Sequence, residues 1–197
     1  MDEAALIEQA KKGDVSAYNR LVIQYQQVVY NVAYRVMGEP QSAEDMTQEA
    51  FISAYKSINS FRGGSFKSWL LRIVTNRCYD ELRKYKRRPQ SSIEEITEEH
   101  ASFAFMRDPK EGPEKFQQRL DMIQAIENCL QGLPDDQRMT AVLGDIEGYD
   151  YKEIAKITRV SLGTVKSRMS RARRKLRECL QGMGELLPSS YRLGNET

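Results

Sequence analysis

The stretch from Asp145 to Arg177 constrains the fold of this chain more than any other part of it. It holds two segments in which apolar residues recur at helical spacing, with the turn Thr158-Arg159-Val160 between them. A helix-turn-helix uses a turn of about this length. Ser161 follows the turn, and its side-chain oxygen is expected to cap the free amide groups of the second helix. The stretch therefore predicts two helices joined as a helix-turn-helix.

The second of these helices has two chemically different faces. Its apolar residues predict one buried stripe, formed by Leu162, Val165, Met169, Ala172 and Leu176. The opposite face is basic or hydroxylic and has no acidic residue, and it consists of Thr164, Lys166, Ser167, Arg168, Ser170, Arg171, Arg173, Arg174, Lys175 and Arg177. Such a helix can enter a major groove, where some side chains contact base edges and others hold phosphates. The alternative is a solvated basic surface without a ligand.

The segment GYDYKEIAKITRVSLGTVKSRMSRARRKLR resembles the promoter-reading end of bacterial sigma factors, in particular those of the extracytoplasmic-function class. GTVKSR followed by SRARRKLR carries the strongest part of the resemblance. It implies that the helix capped by Ser161 reads the minus-thirty-five promoter element. The side chains expected at base edges are Lys166, Ser167, Ser170 and Arg171. Those expected at phosphates are Thr164, Arg168, Arg173 and Arg174. Ser161 is also expected among the residues that bind the minus-thirty-five element.

Two turn residues depart from the pattern of that family. Arg159 stands where glycine is common, so a left-handed backbone at this position would carry strain. Thr158 stands where a buried leucine is usual. Leu162 and Gly163 match the family, so the departures concern the turn rather than the helix that follows.

Composition and patterning restrict the rest of the chain. Its 197 residues are 40% hydrophobic and 29% charged, and strand-like alternation is missing, which predicts an all-α fold. No phosphate-binding glycine loop, metal-ligand cluster or nucleophile with its base is evident, so we expect neither an enzyme nor a metal or other cofactor. The N-terminus is unlike a secretory signal and no apolar run reaches membrane length, so we expect a cytoplasmic protein without membrane insertion.

The three cysteines Cys78, Cys129 and Cys179 lie far apart in the sequence. They cannot all pair with one another, and their spacing does not fit a zinc site. We therefore expect reduced, half-buried cysteines rather than a disulfide or metal framework.

Residues 1–90 also contain residues that are typical of the starts and ends of helices. A first helix is expected over residues 3–12, and Asp14 is placed to cap a second helix that runs to Met37 and ends at Gly38. Ser42, with Asp45 three residues later, predicts a capping box for a third helix.

The third helix has an acidic outer surface. The segment SAEDMTQEAFISAY is similar to the sigma-factor segment that docks on the clamp helices of the largest subunit of core RNA polymerase. The resemblance implies a core-binding role for Glu44, Asp45, Gln48 and Glu49. The alternative is that these acids only favour the positive end of the helix dipole.

The next segment, FRGGSFKSWLLRIVTNRCYDELR, combines basic and aromatic residues, as single-stranded DNA binding requires. It resembles the sigma segment that melts the minus-ten element and captures a flipped base. The positions that this implies for base capture are Phe61, Arg62, Ser65, Phe66, Ser68, Trp69, Arg72 and Asn76. Arg77 and the basic residues after it, including Arg83, are expected at duplex phosphates. Phe66 and Trp69 could instead belong to the core, and for Trp69 we favour that interpretation.

The predicted organisation is a region 2-like domain over residues 1–90, an acidic linker over 91–115, a helix-turn-helix domain of region 4 type over 116–181 and a loose tail over 182–197. The linker is either a plain tether or, as in the family, a strand through the polymerase cleft. The implied partners are core RNA polymerase, through the clamp helices and the flap of its second-largest subunit, and promoter DNA in double- and single-stranded form. An anti-sigma factor is common in the family, but no residue here identifies one.

Two other functions compete with a sigma factor. A stand-alone helix-turn-helix repressor or activator would dimerise on a palindromic operator and use residues 1–90 for dimerisation or ligand sensing. A nuclease or transposase would need clustered carboxylates for metal ions, whereas the acidic residues here lie at a helix start or in the linker.

Overall fold

The computed structural model describes residues 2–87 and 112–183, and in these two ranges the regular structure is entirely helical. The N-terminal region holds α1 (Glu3–Lys11), α2 (Val15–Met37), α3 (Pro40–Ser57) and α4 (Phe66–Arg87), with a short 3-10 turn at Ile58–Ser60. The C-terminal region holds α5 (Pro113–Gln131), α6 (Asp135–Ala141), a π turn at Val142–Ile146, α7 (Tyr151–Thr158) and α8 (Leu162–Gly182). The all-α prediction is confirmed.

The predicted segments between and after these regions lie partly outside the described residues. The linker prediction falls outside them up to residue 111, and the tail prediction from residue 184. The helix expected to begin the second domain at residue 116 begins earlier, at Pro113, whose fixed φ suits the first helical position.

The predicted caps of the first helices are mostly confirmed. Asp14 accepts hydrogen bonds from Ser16 N and Ala17 N at the start of α2, and Gly38 ends that helix in the left-handed conformation at φ 81°. The capping box at Ser42 is wrong. Because α3 already begins at Pro40, Ser42 lies inside the helix, where its hydroxyl donates to Glu39 Oε2 at 2.7 Å.

The N-terminal core lies between α2, α3 and α4, which pack along one another. The largest side chains with almost no exposure there include Leu21, Val29, Val32, Val36, Phe66, Leu70 and Leu71. They come from the apolar stripes of the three helices, so burying them joins the helices into one bundle.

The C-terminal core is likewise formed by apolar side chains that packed helices bury against one another. Met139, Leu143, Ile154 and Met169 are all at most 1% exposed. The helix α6 changes to a π turn after Ala141. Gly144 lies against the Met169 side chain and Ile154 Cδ1, so a larger residue would have to displace them.

The two helical regions pack against each other and share one continuous hydrophobic core. Hydrogen bonds cross between them at the end of α2. Gln131 Nε2 donates to Arg35 O at 3.1 Å, and an Arg138 guanidinium N–H donates to Val36 O at 2.6 Å. The C-terminal region therefore completes the cap of α2.

The prediction that all three cysteines are reduced is wrong. Cys129 on α5 and Cys179 on α8 form a disulfide, with their Cα atoms 5.8 Å apart. Their distance along the chain does not prevent pairing, because α5 packs against α8. Cys78 is free and buried. Among the described residues, no helix combines the length and apolar character needed to cross a bilayer.

Candidate nucleic-acid interface

The helix-turn-helix consists of α7, the turn before Ser161, and α8. Ser161 has extended backbone angles and accepts a hydrogen bond from Thr164 N at 3.1 Å, which confirms the predicted cap. Asp150 and Glu153 form a complete capping box at the start of α7. The Asp-x-x-Glu spacing is a visible sequence signal for that box, which the sequence analysis missed.

The turn between the helices has the strained residue that its sequence indicates. Arg159 ends α7 in the left-handed conformation, at φ 56° and ψ 40°. Within residues 2–87 and 112–183 it is the only non-glycine residue with positive φ. Its N–H donates to Ala155 O, so the conformation closes the end of α7.

The buried stripe of α8 is confirmed at its centre and not at its first residue. Val165, Met169 and Ala172 are buried, whereas Leu176 is half-buried and Leu162 remains 37% exposed. Leu162 occupies the first position of the helix, before the stripe reaches the core.

The opposite face of α8 presents the predicted DNA-binding side chains to solvent. The fully exposed members of the predicted set are Ser161, Lys166, Ser167, Ser170, Arg171, Arg173 and Arg174. Thr164 is half-buried, and its hydroxyl is hydrogen-bonded to the Ser161 hydroxyl, with the two oxygen atoms 2.8 Å apart. The residues brought together on this face can supply several N–H and O–H donors to one groove.

All three predicted phosphate-binding arginines already have carboxylate partners, and the contact of Arg174 is the longest, with Nε 4.0 Å from Glu178 Oε1. Arg168 Nε lies 2.9 Å from Asp136 Oδ2. Arg173 donates to both carboxylate oxygens of Asp145, from NH2 at 2.5 Å and from Nε at 3.1–3.2 Å. The hydrogen bond to Asp145 raises the pKa of Arg173. A phosphate contact would require each arginine to exchange or share its carboxylate.

The predicted minus-ten loop lies between the 3-10 turn and α4. Gly63 and Gly64 adopt φ of 94° and 89°, which side chains rarely allow, and this pair lets the loop reverse. Ser65 Oγ accepts from Ser68 N at 3.1 Å and so starts α4. Arg62 and Ser65 are exposed, and Ser68 is half-buried.

The three aromatic residues of this segment lie beneath the loop rather than on it. Phe61, Phe66 and Trp69 are 6%, 1% and 9% exposed. Their ring centroids are 5.4–5.5 Å apart in all three pairs. In this conformation they are core residues, as the alternative interpretation of Phe66 and Trp69 holds, and their rings are not available for stacking on bases.

The remaining predicted minus-ten residues follow along α4. Arg72 and Asn76 are half-buried and Arg83 is exposed. Arg77 packs on α3, where its NH2 donates to Ser53 Oγ at 2.6 Å and its NH1 lies 3.9 Å from Glu49 Oε2. The segment is therefore held against α3 at Arg77, whereas its other predicted DNA-binding side chains on α4 remain at least partly exposed to solvent.

The predicted core-binding residues form one exposed surface on α3. Glu44, Asp45, Gln48 and Glu49 are exposed, while Met46 and Ala50 face the core. A groove of about 430 Å³ runs beside them between α2 and α3, lined by Val22, Gln26, Gln27, Tyr30, Glu44, Thr47, Gln48 and Phe51. The α2 side of this groove was not predicted, because it becomes a site only through the packing of α2 on α3.

A second unpredicted feature covers the start of α4. The Lys67 ammonium lies 3.5 Å from Glu147 Oε2 and 5.4 Å from the centre of the Tyr149 ring. Burial raises the pKa of the Tyr149 hydroxyl, which also hydrogen-bonds to Ser68. The loop before α7 therefore contacts the segment predicted to bind the minus-ten strand. In the described parts of the chain, no group of acidic, histidine or cysteine side chains could hold a metal ion.

Family models match the chain in two places and in the expected order. The model of sigma-70 region 2 covers residues 21–88, and the model of sigma-70 region 4 covers residues 123–176. The first match spans α2 to α4 and the second spans most of α5 to α8.

Two bacterial proteins are similar to the chain over most of its length. The RNA polymerase sigma-H factor of Pseudomonas aeruginosa is 36% identical over 181 residues, which are 89% of this chain and 92% of the relative. The ECF RNA polymerase sigma-E factor of Escherichia coli K12 is 36% identical over 175 residues, which are 88% of this chain and 91% of the relative.

Two solved structures share the fold, and in each of them the similar chain is bound to another protein. The sigma factor RpoE in complex with the anti-sigma factor NepR, from Bartonella quintana, is 25% identical with a TM-score of 0.62, covering 84% of this chain and 98% of that chain. CnrH in complex with the cytosolic domain of CnrY is 26% identical with a TM-score of 0.63, covering 92% of this chain and 99% of that chain.

Both sigma-70 regions occur in order, relatives at 36% identity extend over nearly the whole chain, and α8 presents a basic face from a helix-turn-helix. This chain therefore belongs to the sigma-70 family, in its extracytoplasmic-function class, and is a sigma factor that directs RNA polymerase to promoters.

Proposed function

We propose that three separate surfaces of this sigma factor divide its work. The exposed polar face of α3 binds core polymerase, α8 reads the minus-thirty-five element, and the loop before α4 holds the opened minus-ten strand. The observation that carries this proposal is the acid-free face of α8, whose residues from Lys166 to Arg174 project from a capped helix-turn-helix. This role involves no bond chemistry by the chain itself.

On α8, the division between base and phosphate contacts follows from position. Lys166, Ser167, Ser170 and Arg171 lie on the exposed face and are the proposed base contacts. Thr164, Arg168, Arg173 and Arg174 are the proposed phosphate contacts. Because Arg168 and Arg173 are already paired with Asp136 and Asp145 at 2.9 Å and 2.5 Å, a phosphate would replace one charged acceptor by another, at a smaller net gain than for Arg174, whose Nε lies 4.0 Å from Glu178 Oε1.

In the minus-ten segment, the exposed and half-buried polar residues are the proposed strand contacts: Arg62, Ser65, Ser68, Arg72 and Asn76. Phe61, Phe66 and Trp69 support the loop from below and reach a flipped base only if the loop opens. Arg77 and Arg83 are proposed at duplex phosphates. The Lys67 contacts with Glu147 and Tyr149 must separate before a strand can lie across the start of α4.

The core-binding surface combines charge with a groove. Glu44 and Gln48 belong both to the exposed face of α3 and to the groove beside it. We propose that the clamp helices of the largest polymerase subunit lie across this surface, and that the C-terminal region contacts the flap of the second-largest subunit. This places the chain in the cytoplasm, where polymerase and promoters are.

An anti-sigma factor is a further proposed partner. The support is the fold shared with two sigma factors that were solved in complex with NepR and with the cytosolic domain of CnrY. Such a partner would compete with polymerase if it covered α3, and with DNA if it covered α8.

The experiment is a titration of fluorescent core polymerase with the full chain and with a Glu44→Lys, Asp45→Lys variant. Two reversed charges are expected to weaken core binding at least tenfold, about 1.4 kcal/mol. Glu8→Lys on exposed α1 is the control, because Glu8 pairs only with Lys11 of its own helix. Equal affinities of the two variants would overturn the assignment of α3.

The alternative of a stand-alone regulator does not fit the chain, because the chain contains both sigma-70 regions and is 36% identical to sigma factors over nearly its whole length.

A further inference from the structure

The disulfide between Cys129 and Cys179 joins α5 to the last turns of the DNA-reading helix. These turns have little else to hold them. After Ala172, no described residue of α8 is buried, and the apolar side chains Leu176, Cys179 and Leu180 are only half-buried where α8 packs on α5. The disulfide is therefore the covalent component of a small apolar contact between α5 and the last turns of α8.

The two sulfur atoms differ in their access to solvent. Cys129 is 2% exposed, whereas Cys179 is half-buried near the end of α8. The Cys129 sulfur also lies 3.9 Å from the Met183 sulfur, at the end of the described helix. An attacking thiolate can therefore reach the Cys179 side of the bond, and Cys129 is the leaving group.

The end of α5 that carries Cys129 also takes part in the contact between the two helical regions. Gln131, close after Cys129, donates to Arg35 O at the end of α2 and accepts from Arg138 NH1 at 2.5 Å. The disulfide therefore links α8 to the helix that contacts the N-terminal region.

We propose that the Cys129–Cys179 disulfide is a reversible redox site, exchanged by a dithiol protein of the thioredoxin class, that sets how firmly α8 is held on α5. The proposal rests on the proposed function, because a sigma factor works beside polymerase in a reducing compartment. Disulfides that occur there are usually transient or redox-sensing rather than structural.

The exchange balances as follows. A thiolate of the reductant attacks the Cys179 sulfur, the bond between the two cysteines breaks, and Cys129 leaves as a thiolate that takes up a proton. The second thiol of the reductant then attacks the mixed disulfide and releases Cys179 as a thiol. The chain gains two thiols and the reductant becomes a disulfide. Glutathione disulfide reverses the reaction by the same steps, with reduced glutathione as the product.

The consequence falls on DNA binding. Val165, Met169 and Ala172 keep the first half of α8 in the core in both redox states. Without the disulfide, the last turns of α8 keep only half-buried side chains in contact with the rest of the protein, and these turns are docked for a smaller fraction of the time. Reduction is expected to weaken binding of a minus-thirty-five duplex about fivefold, the ratio that follows if binding requires docked last turns and these are docked in roughly one fifth of reduced molecules.

The chemical test uses the native full chain and intact-mass measurement after alkylation. Protein oxidised with glutathione disulfide is treated with thioredoxin, its reductase and NADPH. We expect labelling of both Cys129 and Cys179 after reduction, and loss of that labelling after reoxidation. Cys78 is buried and should stay unlabelled throughout. If thioredoxin left this disulfide intact in the native protein, the disulfide would have a purely structural role, and that result would overturn the proposal.

The functional test compares oxidised and reduced wild-type protein in duplex binding and in hydrogen exchange of residues 173–183. Reduction should weaken binding and speed exchange. Cys78→Ala should keep this response, whereas Cys129→Ser, Cys179→Ser should lose it and bind as the reduced protein does. Equal affinity and equal exchange in the two redox states would contradict the proposed consequence.

Core-polymerase binding in the same samples separates this proposal from the proposed function. The α3 surface lies in the other helical region, so its share of core affinity, measured as the effect of Glu44→Lys, Asp45→Lys on binding, should be the same in both redox states. Loss of core affinity in both states would defeat the sigma assignment of the surface and leave the redox readouts standing. Normal core affinity with no effect of thioredoxin would defeat the redox site alone.

Discussion

Two buried tyrosine hydroxyls of the N-terminal region differ in their hydrogen bonding. Tyr18 Oη donates to Phe51 O at 2.6 Å. Tyr79 Oη is buried and has no hydrogen-bond partner among the residues that the structure describes. A buried polar group without a partner costs about 1–3 kcal/mol, whereas a satisfied one contributes about 1 kcal/mol.

Replacing these hydroxyls should therefore have opposite effects on stability. Tyr79→Phe is expected to raise the free energy of unfolding by about 1 kcal/mol at pH 7, and Tyr18→Phe to lower it by about 1 kcal/mol. Urea unfolding followed by circular dichroism measures both. A loss of stability in both variants would show that Tyr79 has a partner in solution.

Tyr79 also gives the stability a pH dependence. Burial raises the pKa of its hydroxyl to about 12 from 10.0. The folded protein keeps a proton that the unfolded chain loses, so this contribution is present below pH 10.0 and is lost as the pH rises toward about 12. Unfolding free energies in that window should fall less steeply for Tyr79→Phe than for wild type. Parallel slopes would contradict the raised pKa.

At Arg159, the backbone rather than the side chain carries the cost. Arg159→Gly removes the strain of φ 56° and is expected to stabilise the protein by about 0.5–1 kcal/mol, after the larger entropy of the unfolded glycine chain is counted. Arg159→Ala is the control, because it removes the side chain and keeps the strain. If alanine stabilised as much as glycine, the effect would lie in the side chain.

Among the elements, α8 concentrates the proposed DNA contacts on one face. A base contact and a phosphate contact on that face should fail in different ways. Arg171→Ala is expected to cost about 1–3 kcal/mol on the specific duplex and to relax specificity at one position. Arg174→Ala should weaken binding to all sequences alike and reduce the slope of log affinity against log salt by about one.

Duplex titrations at several salt concentrations measure both quantities. Lys12→Ala, at the exposed residue that caps the C-terminal end of α1, removes one positive charge outside the proposed interface and serves as the control. A change of slope as large in Lys12→Ala as in Arg174→Ala would mean that net charge, and not the face of α8, determines binding.

Most of the element boundaries could be predicted because their signals are local. Asp14, Gly38 and Ser161 act within a few residues of their own positions, and the apolar stripes repeat every turn. The failures are of another kind. Ser42 was read as a cap because the start of α3 at Pro40 was not recognised. Leu162 fits the stripe by spacing but lies at the helix start, where the core does not reach.

At the scale of the whole molecule, the two helical regions are held together by contacts that no local pattern indicates. Arg138 is a buried guanidinium that donates to Val36 O and Leu133 O, and burial lowers its pKa while Asp135 opposes that shift. In the sequence it looked like an ordinary charged helix residue. The disulfide was missed for the same reason, because its partners lie 50 residues apart.

The ion pair between Lys67 and Glu147 joins the two helical regions. Reversing the charge of Glu147 tests whether this pair holds the regions together. Glu147→Lys places two ammonium groups together, so we expect faster hydrogen exchange at the start of α4 and a larger radius of gyration by X-ray scattering. Glu81→Lys is the matched control, because it breaks the pair with Lys84 inside α4. The same expansion in both variants would show that this contact does not hold the regions together.

Transcription from a promoter fragment library measures whether this chain brings core polymerase to promoters and opens them, when purified core polymerase is used alone and with the full chain added. We expect promoter-specific initiation only when polymerase and chain are both present, with loss of specificity in Arg171→Ala and loss of all initiation in Glu44→Lys, Asp45→Lys. If core polymerase gained no promoter-specific transcripts, although the chain binds a duplex tightly by itself, the chain would not act as a sigma factor.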